Sequence, residues 1–261
     1  MSKNSKKTVE LFWLGQMGLL ISSPGARVCI DYFASANDDR QTPPPIAPDK
    51  LNGIDIFIGT HDHLDHIDHA SWKIWAKKNP DAKFVFPKAH MDSVLADGVN
   101  EKNAIGINAG ESVKIGDVTI HAVAASHEFL DMDLKTGLYP YLQYIVEING
   151  VRIHHAGDTL RYDGMLNALK AYGDIDIQLL PINGRDADRY RNDLIGNMTY
   201  QEAVDLAGET GSSLVIPGHW DMFKFNSEDP VKFKEYIEVK YPGKIKCIIP
   251  KVMESIVYEK A

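Results

Sequence analysis

The sequence predicts a single α/β domain in which helices cover β-sheet. Two observations carry this. Strand-like runs and helical segments take turns through both halves of the 261 residues, and no repeat or low-complexity tract divides the chain. The first seven residues are expected to be disordered. "TVELFWLG" and "GLLISS" then read as short strands around the turn formers Gly15 and Gly18, followed by "ARVCIDYF". "TPPPIAPDK" (42–50) reads as an extended, proline-stiffened surface loop, and strand-like sequence resumes directly after it. "GIDIFIGT" is β-branched and apolar, as expected of a strand buried on both faces. A helix over 70–78, the strand "KFVFP", a helix over 88–96 and an alternating pair in "ESVKIGDVTIHAVAA" follow. "YLQYIVEINGVRIHHAGDT" predicts a hairpin turning at Asn149-Gly150. Next come a helix over 163–171 and the strand "DIQLLPI". "MTYQEAVDLAGETG" carries a Thr199 cap, Glu202 three residues on and a closing Gly211, which together mark a helix. "SLVIPGHWD" is a further strand running into a histidine.

Composition limits the function classes. With 44% hydrophobic and 25% charged residues the chain is ordinary for a soluble globular protein. A net charge of -8, from 36 acids against 28 bases, argues against a broad nucleic-acid footprint. Cys29 and Cys247 lie in apolar runs and read as small buried hydrophobes of a reducing compartment. The opening lysines meet Glu10 before any apolar stretch develops, and no apolar run approaches the length of a membrane span. The expectation is a cytoplasmic protein with neither nucleic acid nor membrane as partner; a homo-oligomer is compatible with it.

Function concentrates at strand ends. Strand-like runs stop at "THDHLDH", "AASHEF", "HHAGDT" and "IPGHWD", each supplying a metal-ligand side chain where a sheet can fix its position. The densest stretch is His61-x-His63-x-Asp65-His66, too tight and too irregular for one face of a helix or strand. In a turn these side chains can splay to serve two adjacent ions. The bland alternative, a solvated acidic turn with incidental histidines, is the weaker reading.

"THDHLDH" resembles the H-x-H-x-D-H signature of the metallo-β-lactamase superfamily. The later order of His127, Asp158 in "GDT" and His219, together with the opening "WLGQMGLLI", is similar to that superfamily over nearly the whole chain. The resemblance implies a four-layer αβ/βα sandwich: two mixed sheets face to face, helices outside, and two divalent metal ions at the strand ends. It implies that His61, His63 and His127 bind one ion, that Asp65, His66 and His219 bind the other, and that Asp158 bridges them. Zn2+ suits this donor set best, and Mn2+ or Fe2+ would also be accepted. A water held between two such ions yields hydroxide near neutral pH, so the expected reaction is hydrolysis. Solvent or Asp65 would protonate the leaving group. The superfamily's di-iron oxygen reductases carry glutamate at the position of His63 and a fused electron-carrier domain, and neither feature is present here.

The remaining polar residues are read individually. His69 is expected on the surface at the start of a helix, and His90 and His121 are expected to be structural. His154 and His155, on adjacent strand positions, point to opposite faces, so one of them is a candidate to brace a ligand, with a satisfied core histidine as the equal alternative. Asp62 and Asp68 flank the ligands and are candidates to accept hydrogen bonds behind them, with solvent exposure the first expectation. In "PINGRDADRYRNDLIGN" (181–197), Asn183, Arg185, Arg189 and Arg191 are candidates to bind an anionic group, although Asp186, Asp188 and Asp193 are present to pair with those arginines. This stretch, the "NMTYQEAVDLA" helix and "PGHWDMFKFNSEDP" look most like the L-ascorbate-6-phosphate lactonase branch. That likeness implies a lactone or ester of a small anionic substrate, such as a phosphorylated sugar acid. Tyr139, Tyr141, Trp220 and Phe223 are candidates for the pocket wall or for core packing. A binuclear phosphodiesterase acting on a nucleotide or phospholipid headgroup is the alternative enzyme. A non-catalytic metal-binding protein is the third reading, disfavoured because structural sites are closed by protein ligands.

Overall fold

Alternation along the apolar strands decides the architecture. In Gly18–Ser22, Leu19 and Ile21 belong to one buried cluster and Leu20 to another. Ile56 and Ile58 likewise face away from Phe57, and Val85 away from Phe84 and Phe86. Strands buried on both faces need a layer on each side. The computed structural model, which describes residues 7–260, meets this need with two seven-stranded sheets. The disorder expected over 1–7 lies outside the described residues except at Lys7, which opens the first strand.

The first sheet takes β1 (Lys7–Gly15), β2 (Gly18–Ser22), β3 (Arg27–Ile30), β4 (Ile56–Ile58), β5 (Lys83–Pro87) and β6 (Ala104–Ile107). The second takes β7 (Ser112–Ile115), β8 (Val118–Ala124), β9 (Leu142–Ile148), β10 (Val151–His155), β11 (Ile177–Pro181), β12 (Leu214–Gly218) and β13 (Lys246–Cys247). β14 (Ser255–Lys260) returns to the first sheet and pairs antiparallel with β1, Lys7 opposite Lys260. Each sheet is antiparallel on one side and parallel on the other, the change falling at β3 in the first and at β10 in the second.

Val, Ile and Leu side chains from both sheets, among them Val28, Ile58, Val146 and Leu179, fill the space between them. Outside the first sheet lie α1 (His69–Lys78) and α2 (Met91–Ala96). Phe57 stacks there on Trp75 at 4.9 Å and on Phe84 at 5.0 Å. Outside the second lie α3 (Met165–Lys170), α5 (Tyr200–Thr210) and α6 (Pro230–Lys240), which bury Leu169, Val204 and Phe233 against Ile145, Leu180 and Val215. The result is the four-layer αβ/βα sandwich expected from the sequence.

Local signals are met in detail. Asn149 and Gly150 both take positive φ, 48° and 73°, and make the tight turn between β9 and β10. Thr199 and Glu202 form a reciprocal capping box, and Gly211 ends α5 at φ 77°. The segment 181–197 differs from the loop expected there by holding a short helix, α4 (Ala187–Arg191), capped by Asp186. Among the described residues no helix is long and apolar enough to cross a membrane.

Candidate metal centre

β4 ends in Gly59 and Thr60, and the chain then folds back over them. A Cβ on Gly59 would lie 2.4 Å from the Ile67 side chain, so only glycine allows this return. The backbone N–H groups of His66 and Ile67 both donate to the His63 carbonyl, at 3.0 and 2.9 Å. This turn sets the His66 ring 4.0 Å from that of His61. Asp68 anchors its far end. Its carboxylate caps α1 at Ser71 N and accepts from Ala34 N (3.0 Å), Ser35 N (2.8 Å) and both serine hydroxyls. The exposure expected for Asp68 is therefore corrected: the residue is fully buried because it ties the 34–35 loop to the helix.

The other donors arrive from the ends of the second sheet: His127 after β8, Asp158 after β10 and His219 after β12. The structure brings all seven residues of the expected ligand set together, as His61/His63/His127 and Asp65/His66/His219, with Asp158 also grouped with His61 and His66. His61 Nε2 lies 3.0 Å from His63 Nδ1. Asp158 reaches both sets: Oδ2 is 3.7 Å from His127 Nε2 and 3.1 Å from His219 Nε2, and Oδ1 is 3.3 Å from His66 Nε2. Asp65 Oδ2 lies 3.6 Å from His219 Nε2 and 3.7 Å from His66 Nε2. Ligands about 2.1 Å from a tetrahedral ion sit roughly 3.4 Å from one another, so these separations fit a divalent cation. Two buried atoms, His66 Nε2 and Asp158 Oδ1, face each other at 3.3 Å without a well-formed hydrogen bond, an arrangement in which a cation would engage both.

Electrostatics divide the donors into a neutral set and a set paired with carboxylates. Burial, reinforced by neighbouring imidazoles, lowers the pKa of His61 and His63 and takes His127 down to about 4, which keeps all three neutral with lone pairs free. Burial also opposes charge on His66 and His219, but Asp158 and then Asp65 outweigh it and raise both. Burial opposes charge on Asp158 in turn, yet His219 and His66 hold it well below the usual carboxylate range.

Sequence reasoning missed two supporting residues. Asp31, fully buried where the "RVCI" strand ends, accepts from His66 Nδ1 (2.7 Å), Thr60 N (2.8 Å) and Thr60 Oγ1 (2.7 Å). That bond fixes the His66 tautomer and turns Nε2 toward Asp158. An acid directly after an apolar strand was the available signal. Gln16, in the turn between β1 and β2, donates from Nε2 to Asp65 Oδ2 at 2.8 Å; its type and position gave no such signal.

Of the paired histidines, His155 lies on the site's side, its Nε2 donating to Met17 O (2.7 Å) and its Nδ1 3.9 Å from Asp31. His154 is a satisfied core residue between Gln143 (2.7 Å) and Gln178 (2.9 Å). His69 departs from the surface role expected of it: it is half-buried between Asp97 and Asp62, the latter at 2.5 Å. Asp62 is half-buried too, and its other oxygen accepts from Ser93 Oγ at 3.0 Å. His90 bonds Pro140 O and His121 bonds Ser112 Oγ, both structural contacts.

A cavity of about 380 Å³ opens over the cluster, floored by His63, Asp65, His127, Asp158 and His219. Asn183, Leu194, Ile195, Phe223 and Phe225 wall it, with Glu128 and Asp193 as further charged lining. Of the four residues expected to bind an anion, Asn183 lines this cavity and the arginines do not. Arg185 makes a two-pronged pair with Glu202 (2.7 and 2.9 Å). Arg189 pairs with Asp186 at 2.7 Å and with Ser227 O, and exposed Arg191 pairs with Asp188 at 3.0 Å. Trp220 stacks on Trp13 at 5.2 Å and Tyr139 packs against the inter-sheet core, whereas Tyr141 lies against the His127 ring at 5.1 Å.

Comparison with known proteins agrees with this geometry. A family model described as a beta-lactamase superfamily domain matches residues 26–220. A metal-dependent hydrolase of Pyrococcus furiosus is 30% identical, over 95% of this chain and 99% of its own length. A probable L-ascorbate-6-phosphate lactonase of Escherichia coli is 25% identical, over 89% of this chain and 75% of its own. Among solved structures, a metallo hydrolase from the archaeon Ignicoccus hospitalis superposes with TM-score 0.76 at 22% identity, covering 97% of this chain and all (100%) of that one. With its two sheets, its strand-end histidines and these relatives, the chain belongs to the beta-lactamase superfamily and is one of its metal-dependent hydrolases.

Proposed function

We propose that the enzyme cleaves the acyl–oxygen bond of a small lactone or ester with two divalent ions, Zn2+ by preference and Mn2+ or Fe2+ as alternatives. The observation that carries this reading is the convergence of two donor triads on Asp158 at the floor of an open cavity. Bound there, the ions would lower the proton affinity of a water and polarise the carbonyl oxygen facing it.

The protein's own groups do the rest. His61, His63 and His127 offer neutral nitrogens. Asp158 reaches toward both triads, and Asp31 keeps His66 aimed. Asp65, partly exposed on the cavity floor, would return a proton to the leaving oxygen, with solvent as the alternative donor; the exposure of Asp65 to the cavity supports this role. Leu194, Ile195, Phe223 and Phe225 shield the reacting bond from bulk water. The lactonase relative supports the choice of a lactone. The internal pairing of Arg185, Arg189 and Arg191 weighs against a phosphate on the remainder of the substrate, because Glu128 and Asp193 are then the charged groups on the cavity wall beyond the floor.

The test is a paired screen of ion-loaded protein. One arm holds lactones with and without a phosphate; the other holds bis(p-nitrophenyl) phosphate and cyclic nucleotides. The expected outcome is efficient opening of an unphosphorylated lactone with little phosphodiester cleavage. Preference for the phosphodiesters would move the enzyme to the alternative chemistry, since the same two triads can serve attack at phosphorus.

A further inference from the structure

Gln16 holds an unusual conformation at an unusual place. Its φ of 54° lies in the left-handed region, which costs a non-glycine residue about 1 kcal/mol or more. Three bonds hold it there. Its N–H donates to Asp221 Oδ1 (2.9 Å), and its carbonyl accepts from His219 N (3.1 Å) and Trp13 Nε1 (3.0 Å). The turn between β1 and β2 is thus bolted to the loop that carries His219, and the side chain, 1% exposed, is directed at the second donor triad.

The amide's terminal atoms are arranged in a telling way. Nε2 lies 2.8 Å from Asp65 Oδ2 and 3.0 Å from His219 Nε2, while Oε1 is buried with no hydrogen-bond partner. The second distance is of the size that separates neighbouring ligands around one small cation (roughly 3.0–3.4 Å for bonds of about 2.1 Å), and the first falls slightly short of it. The end of the Gln16 side chain therefore stands at a corner of the same polyhedron that Asp65, His66 and His219 define. An N–H at that corner uses the lone pairs of Asp65 and His219 that a cation needs. Turning the amide over by half a rotation exchanges Nε2 for Oε1 within nearly the same volume. The corner is then occupied by a neutral oxygen donor, a ligand type that divalent ions of this class accept.

We propose that Gln16 is a ligand of the second ion, through Oε1, beside Asp65, His66, His219 and Asp158. This rests on the two-ion reading above and deepens it. A glutamine oxygen adds no charge, so the ion keeps more of its polarising power than it would with a third carboxylate beside Asp65 and Asp158.

Gln16→Glu and Gln16→Leu separate this role from that of a hydrogen-bond donor that only positions Asp65. A ligand oxygen replaced by carboxylate should tighten the second ion; a donor replaced by carboxylate should loosen it, because two carboxylates would then face each other. Zn2+ titration against a chromophoric chelator reads both affinities and the stoichiometry, with the thermal midpoint of chelator-treated protein as a check on folding. The expected result is two ions in the wild type, the second held at least tenfold more tightly in Gln16→Glu and at least tenfold more weakly in Gln16→Leu, with the first unchanged. If Gln16→Leu fails to fold, the direction of the Gln16→Glu change alone decides. Weaker binding of the second ion in Gln16→Glu, or no change, overturns the proposal and leaves the two-ion reading standing. Uptake of a single ion by wild type overturns both.

Discussion

At the scale of the residue, this centre depends on which groups are kept neutral and which are paired. His154 gives the clearest case outside the donor set. Burial, with His155 beside it, lowers its pKa to about 3, and both ring nitrogens are committed to Gln143 and Gln178. Its folded pKa is below the unfolded value of about 6.5, so protons bind the unfolded chain more tightly, and stability is withdrawn as pH falls from about 6.5 toward 3. At pH 5 this amounts to about 2 kcal/mol. Urea unfolding at pH 7 and pH 5 should show wild type losing about 2 kcal/mol more than His154→Gln does; equal losses would remove His154 as the source. The residue scale is also where the sequence was most unevenly legible. The seven clustered donors stood out because apolar strands stop at them. Asp31 obeys the same rule singly, with no neighbouring donor in sequence to mark it, and the role of Gln16 depends on a contact with His219 that spans 203 positions.

Elements explain why the arginine stretch reads differently in three dimensions. Three arginines in a loop after a buried strand suggest an anion site, but α4 places Asp186 and Asp188 three residues before Arg189 and Arg191, where a helix brings side chains together. Arg185 reaches instead to Glu202, the residue that completes the capping box of α5. It is thus part of the fastening between this segment and the helix. Arg185→Ala should lower stability by about 1 kcal/mol, since the pair is partly exposed and solvent screens it. It should leave the ratio of activity on phosphorylated and unphosphorylated lactones unchanged. A selective loss on the phosphorylated member would return Arg185 to the substrate. Helix limits, by contrast, were legible within a few residues, because the Thr199 cap, the Gly211 stop and the Asn149-Gly150 turn are local chemistry.

For the whole molecule, the donors come from both halves of the chain: His61, His63, Asp65 and His66 from the first sheet's connections, and His127, Asp158 and His219 from the second's. Ions bound there would cross-link the two sheets at one end of the inter-sheet core, so removing them should be felt as a loss of global stability. At a thousandfold excess of ion over its dissociation constant the linkage is worth about 4 kcal/mol for each ion, which in a domain of this size corresponds to roughly 10 °C in Tm per ion. Calorimetry with and without a chelator measures it. An unchanged Tm would mean that the two halves hold together without help from the centre. Fold class was legible because strand-like and helical runs take turns along the chain, while the four-layer sandwich was what the family resemblance implied.

The pairing of β1 with β14 has a consequence for how the chain is made. Val9 and Leu11 sit in register with Tyr258 and Ile256, partners far along the polypeptide. While the chain emerges from a ribosome, the outer edge of β1 has no strand to meet until both sheets' other strands and β14 itself have been synthesised. The first sheet therefore waits with one flank open, a template for wrong pairing with another nascent copy. Completion of that flank is a long-range event, and the enzyme's yield in a cell will depend on how fast β14 finds β1.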